Sequence, residues 1–234
     1  MPAKKDPQQK IIDAALDLAA AEPWHQITLV DIARHATIDM ATLYDQFSSK
    51  ADILRAWVRD IDRQVLAGLN DDDFTESRRD RLFDIIMARF DALAPRKAAL
   101  RSILHDRGDL ALTDAPGSVK TMMTSMRWML EASGFETGGL RGSLRIVGIS
   151  AVYARCFRQW LKDDSLDLGP TMSALDRELI RGRLWDKRLT RGTEKLENLG
   201  KKIRANCCKF SQKSATGTPD THNETTGRPI ETAG

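Results

Sequence analysis

Residues 27–54 read ITLVDIARHATIDMATLYDQFSSKADIL, and the punctuation inside this stretch decides the fold. Thr28 followed three residues later by Asp31 is a capping box, in which side chain and backbone amide satisfy each other at a helix start. It opens a helix whose Leu29, Ile32 and Ala33 face inward. A polar joint, HATID (35–39), follows. Asp39 is the natural N-cap of a short helix over MATLYDQF (40–47), with Leu43 and Phe47 as its inward residues. Ser49 and Asp52 form another capping box and open a longer helix with Ile53, Trp57, Ile61 and Val65 at four-residue steps. Upstream, a first helix runs from about Gln8 to Ala21, with Ile12, Leu16 and Ala19 on one face and Ile11, Ala15 and Leu18 beside them. Pro23 stops it.

Two short helices around a tight joint, both resting on a first helix, make helix-turn-helix architecture. Seven or eight helical residues rise about 10–12 Å. That matches a DNA major groove about 12 Å wide. A longer helix would run past the bases.

The same residues resemble the DNA-binding domain of the tetracycline-repressor (TetR) family. The family's pattern of Thr, Ile-Ala, a turn, Leu-Tyr, an aromatic and Lys stands here as Thr28, Ile32-Ala33, Leu43-Tyr44, Phe47 and Lys50. The match spans roughly residues 8–58. It implies a role for each position. Thr28 offers its hydroxyl and the amides of a helix start to a phosphate. Tyr44 points its hydroxyl at the DNA backbone. Lys50, at the start of the fourth helix, attracts the same phosphate. Met40, Ala41, Thr42 and Gln46 are the base-facing set, with Ala41 and Thr42 against thymine methyls and Gln46 against adenine. Two residues depart from the pattern. Thr37 stands where the family usually has Gly, and a β-branched residue with positive φ is strained, so either the turn differs or the strain is tolerated. Asp45 follows Tyr44. A carboxylate there is repelled by phosphates unless it accepts from a cytosine amine or pairs with Arg34 or Lys50.

After a break at GLNDDDFTES (68–77), helical spacing resumes. It covers 77–93 (Leu82, Ile86, Phe90, Leu93), 96–106 (Leu100, Ile103, Leu104) and 117–133 (Val119, Met122, Met126, Leu130), the last ended by Gly134. It continues over 139–162 (Leu140, Leu144, Val147, Ala151, Ala154) and 171–185 (Met172, Leu175, Leu179, Trp185). No strand-like alternation persists. The chain therefore reads as all-α. An N-terminal three-helix helix-turn-helix domain (1–54) precedes a larger helical ligand-binding and dimerisation domain (55–189), and a tail (190–234) has the composition of a disordered segment.

The roles of the body are those the resemblance implies. Met122, Met126 and Met129 share one helix and either line a cavity for a small apolar effector or fill ordinary core. Arg101 and His105, four residues apart, either anchor the effector's polar end or lie at the surface. The last two helices form a four-helix bundle with a twofold mate, Gly142, Gly148, Ser150 and Ala151 permitting close approach, or else close the protomer's own core. The expected partners are double-stranded DNA, a small apolar effector and a second copy of the chain. Two recognition helices would enter successive major grooves of a near-palindromic site about 34–36 Å apart. An effector would shift the fourth helix and spoil that spacing, which fits a repressor.

Composition narrows the alternatives. Residues 1–50 hold five Lys/Arg against seven Asp/Glu, whereas residues 186–234 hold ten against six, so the basic surplus lies in the tail. A charge-based search for nucleic-acid binders would pass this chain over. No apolar run reaches the roughly 18 residues of a membrane span. MPAKKDPQQK lacks the apolar stretch of a signal peptide, so a cytoplasmic location is expected. Three cysteines make no disulfide framework. The four histidines share no metal-ligand spacing with them. No phosphate loop, nucleophile elbow or paired-carboxylate motif is present, so neither catalysis nor a cofactor or metal is expected. The rival reading is a lipid- or quinone-binding accessory protein with the same fold and no DNA binding. AVYARCFRQWLKDDSLDLGPTMSALDREL (151–179) faintly resembles the last two helices of a ubiquinone-biosynthesis protein of that kind.

Overall fold

The computed structural model describes residues 6–69, 77–105 and 116–182, the side chains of 116–118 excepted. The expectations for 70–76, Trp185, Cys207, Cys208, His222 and the 190–234 tail lie outside the described residues. Among those described there are helices and no strands. They are α1 (Pro7–Ala21), α2 (Leu29–Ala36), α3 (Met40–Gln46), α4 (Lys50–Ala67) and α5 (Arg78–Leu93). After a 3-10 turn (Ala94–Arg96) come α6 (Lys97–His105), α7 (Pro116–Ala132) and α8 (Gly139–Lys162). The described part of α9 is 169–182. All described residues fall in one compact unit, Met1–Arg188. The boundary expected at 54/55 falls inside α4, so the N-terminal helices (the head) and the helices after them (the body) share a continuous helix.

Each helix of the head starts on a side-chain cap. Asp6 accepts from the Gln8 amide, with Pro7 in the first turn, where its missing N–H costs nothing. Thr28, Asp39 and Ser49 open α2, α3 and α4. Ile11, Ile12 and Leu16 of α1 meet Ile32, Leu43 and Ile53 in a fully buried core. α1 also seats on α6. Arg96 ion-pairs with Asp13 at 3.3 Å and with Asp17, and the Ser102 hydroxyl donates to the Glu22 carbonyl at 3.1 Å. The acids at 13 and 17 thus face the body.

The body packs around aromatic rings. Phe90 stacks on Tyr153 and Trp160 at centroid distances of 5.4 and 5.5 Å, and Phe157 joins them. Against this lies a buried polar network. Asp62 of α4 ion-pairs with Arg89 of α5, Arg89 Nε donates to the Tyr153 hydroxyl of α8 at 3.1 Å, and the Ser125 hydroxyl of α7 donates to Asp62 at 2.6 Å. Four helices are tied by one pair of charges, each compensating the other's loss of water.

α8 is apolar on two sides. Its inner face is Ile146, Ile149, Tyr153, Cys156, Phe157 and Trp160. Leu140, Leu144, Val147 and Ala151, the stripe most visible in the sequence, point outward. Gly142 is not on that outer stripe. A Cβ there would sit 2.0 Å from the Thr137 carbonyl carbon, so Gly142 serves the α7–α8 corner of its own protomer rather than the approach of a second chain. Ser150 bonds back to the Ile146 carbonyl. Gly148 is open to space. Burial pushes the Cys156 thiol up to about 11, so it stays protonated and inert.

The α8–α9 corner is organised by Asp163. Its carboxylate accepts from the Ser165 hydroxyl and from the Thr171 amide (3.0 Å) and hydroxyl (2.6 Å). Those hydroxyl donors hold it down to about 2. Asp163 thereby satisfies an amide in the first turn of α9.

Candidate nucleic-acid interface

The interface begins with the α2 cap. The Thr28 amide donates to Asp31 at 2.9 Å and its hydroxyl at 2.5 Å, while the Asp31 amide donates to the Thr28 hydroxyl at 3.2 Å. The Thr28 hydroxyl, then its amide, hold the Asp31 carboxyl below its ordinary range. The Thr28 donors proposed for a phosphate are therefore already engaged by a carboxylate, and a phosphate would compete with Asp31 for them.

Of the two forms open to the turn, it takes the strained one. Thr37 has φ 55° and ψ 50°, in the left-handed region, and its amide donates to the Ala33 and Arg34 carbonyls that α2 leaves open. This closing geometry belongs to a C-terminal cap in which Gly is favoured.

α3 follows on the Asp39 cap, whose carboxylate accepts from the Thr42 amide at 2.6 Å and is held below its ordinary range mainly by that bond. Only Leu43 within α3 is buried, with Phe47 just beyond it. Met40, Ala41, Tyr44, Asp45 and Gln46 are exposed and Thr42 is half-buried. Tyr44 is 79% exposed, too open for a packing residue. Six of the seven expected DNA-facing residues thus lie on α3 or at the cap of α2, with side chains at or near the surface. Val30, exposed on α2, was not among them.

Lys50 is placed differently from its neighbours. Its ammonium donates to the carbonyls of Trp24 (2.7 Å) and Ile27 (2.6 Å) and lies 4.7 Å from the centre of the Trp24 ring. It ties the start of α4 to the α1–α2 loop, one peptide from Thr28. Trp24, which the sequence reading passed over, is the platform. Its signal was a large apolar residue directly after the helix-stopping Pro23.

The expected effector residues separate. Met126 and Met129 are fully buried and Met122 is half-buried. Arg101 turns to the α8–α9 corner, where it donates to the Leu161 carbonyl and to Asp164. His105 is exposed at the end of α6. The structure brings Met126 and Met129 into the core and leaves Arg101 and His105 at the surface.

Comparison with known proteins agrees with this geometry. Residues 11–57 match the family model of bacterial regulatory proteins of the tetR family. A TetR transcriptional regulator from Nitrosomonas europaea is similar in fold, with a TM-score of 0.62 at 21% identity, over 77% of this chain and 99% of that one. Another, from Rhodococcus sp. RHA1, gives 0.57 at 19% identity, over 75% and 94%. No curated protein matches the sequence. The chain carries a tetR-family helix-turn-helix domain on a TetR-type all-helical fold. No described helix is long and apolar enough to cross a membrane.

Proposed function

We propose that this protein is a homodimeric, effector-responsive transcriptional repressor that binds a near-palindromic DNA operator. One observation carries the reading. α3 is a seven-residue helix anchored by Leu43 and Phe47 that turns Met40, Ala41, Tyr44 and Gln46 outward. Its length of about 10 Å suits a single crossing of the major groove. In this reading Met40, Ala41, Thr42 and Gln46 meet base edges. Tyr44 and Thr28 meet phosphates, and Lys50 holds the loop that presents Thr28.

Dimerisation is supported by the outer stripe of α8. Leu140 and Val147 are 66% and 53% exposed, Leu144 and Ala151 continue the line, and α9 adds Met172 and Ile180. An apolar stripe on the far side of an already buried helix fits a second copy packed against it. The effector would bind in the body near Met122, Met126 and Met129 and act through α4, provided it prefers one of two α4 positions.

The test is binding to the DNA upstream of the protein's own gene across a salt titration, with native mass spectrometry alongside. The expected result is a two-chain species whose site-specific affinity falls steeply with salt. Indifference to all DNA, with lipid retained by the purified protein, would replace this reading with that of a lipid-binding accessory protein.

A further inference from the structure

Asp45 is a carboxylate in the middle of a surface proposed to meet a polyanion. Its direction follows from helix geometry. Leu43 lies two residues before it, about 200° round the helix. Leu43 is buried against the head's core, so Asp45 points away from that core, toward whatever α3 faces. The nearest cations in the sequence are committed elsewhere. Arg34 approaches Asp31 at 3.8 Å, and the Lys50 ammonium is on the Trp24 and Ile27 carbonyls. The sequence holds no Lys or Arg from 35 to 49. Among the described residues no cation stands within ion-pair distance of Asp45.

An uncompensated carboxylate at this place opposes every phosphate backbone equally, whatever the sequence. Only one base edge in the major groove repays it. Cytosine presents an N4 amino donor, to which a carboxylate is the matching acceptor. The N7 and O6 of guanine, the N7 of adenine and the O4 of thymine are acceptors that repel it. The N6 amine of adenine is a donor flanked by the N7 acceptor, so it is a poorer match for a group with no proton to give.

We propose that Asp45 is a specificity-determining residue, which accepts a hydrogen bond from one cytosine amine in each half-site and weakens binding to DNA lacking that cytosine. The proposal rests on the DNA-binding reading above and deepens it. Specificity of this kind comes from a repulsive element as well as an attractive one. Loose, sequence-blind attachment is suppressed, so that the contact with the right bases decides occupancy.

The experiment is selection from a randomised double-stranded DNA library by the full-length wild type, Asp45→Ala and Asp45→Asn, at one fixed salt concentration. Affinities are then measured for the wild-type consensus, the same site with the cytosine pair changed to T·A, and random-sequence duplex. The wild type is expected to select a C·G pair at one symmetric position and to lose about 10-fold when that pair is changed. Asp45→Ala is expected to select nothing at that position, keep its preferences elsewhere, and bind random duplex several-fold more tightly. Asp45→Asn, which keeps an acceptor oxygen, drops the charge and adds a donor, is expected to admit adenine beside cytosine at that position and to gain on random duplex likewise. If both variants select the wild-type consensus unchanged, Asp45 does not read a base and the proposal falls, even if random-duplex binding rises. If the wild type selects a site and Asp45 variants lose none of its cytosines, the proposal falls while DNA binding stands. If the wild type selects no sequence at all, the DNA-binding reading fails and takes this proposal with it.

Discussion

In the head, each helix start is satisfied within three positions of the chain: Asp6 by Gln8, Thr28 by Asp31, Asp39 by Thr42, Ser49 by Asp52. In the body α5 too opens on a local cap, Ser77 accepting from the Asp80 amide, but the polar contacts that hold one helix to another are remote. Arg89 reaches Tyr153, 64 residues on, and Arg79 reaches Asp176, 97 residues on. Local caps decide where short helices begin. Remote buried pairs decide which long helices lie together. α2 and α3, of eight and seven residues, need the first kind because neither is long enough to persist alone. A body meant to hold a shape around its aromatic core needs the second.

The largest test of that contrast is in the body. Replacing Arg89 with Met leaves Asp62 charged and buried, and should cost about 3–5 kcal/mol in chemical denaturation. Adding Asp62→Leu removes the stranded charge and should restore most of the loss. A silent single variant would mean that the network ties nothing together.

Next comes the α8–α9 corner. Asp163→Ala leaves the fully buried Thr171 amide and hydroxyl without their acceptor, for about 2–3 kcal/mol. The pH dependence gives a second handle. Folding depresses the Asp163 carboxyl to about 2, below the roughly 3.9 of an unfolded chain. Its stabilisation is therefore complete above about 3.9 and is lost as pH falls toward about 2, because the unfolded chain binds the proton first. Wild type and Asp163→Ala should converge in stability as the solution is acidified through that window, and a gap constant down to the lower end would refute the assignment.

Effects at Asp39 and Thr37 should be smaller because the contacts there are local and exposed. Asp39→Ala removes one cap and should cost about 1 kcal/mol in thermal unfolding. Thr37→Gly should act in the opposite direction. A β-branched residue held at φ 55° is strained, and its relief should exceed the extra chain freedom of Gly, for a gain of about 0.5–1 kcal/mol. A loss on making that change would show that the Thr37 side chain contributes something the backbone angle conceals.

This division also explains what could be read from residues alone. Capping boxes and the Leu43/Phe47 anchor involve neighbours in sequence, so α2, α3 and α4 were legible nearly to the residue. At Thr37 the resemblance, through the family's usual Gly, pointed to a positive φ, but whether the turn would keep that angle was decided only by the fold. Lys50 was placed at the right helix start, but its attachment to the carbonyls of Trp24 and Ile27 depends on how a loop 23 residues upstream folds back. In the body, spacing showed where the helices run but not which way they turn. Along α8 the stripe Leu140, Leu144, Val147 and the stripe Ile146, Ile149, Tyr153 are both apolar and both periodic. Nothing local says that the second is the inner one. Which of two roles Gly142 plays could not be read for the same reason, because its need for a missing Cβ comes from Thr137, five residues back across a corner. Asp62 and Arg89 look like any surface acid and base on amphipathic helices until the fold brings them together.

The unbroken run of α4 has a mechanical side. Lys50, clamped to the head, and Asp62, clamped to the body, stand twelve residues apart on one rod, about 18 Å end to end. With the Asp62 end as fulcrum, a tilt of about 10° sweeps the Lys50 end through an arc of about 3 Å, close to the rise of two helical residues. A disturbance small enough to leave the core's packing intact is thus geared up, by leverage alone, into a displacement comparable to the step between adjacent base pairs.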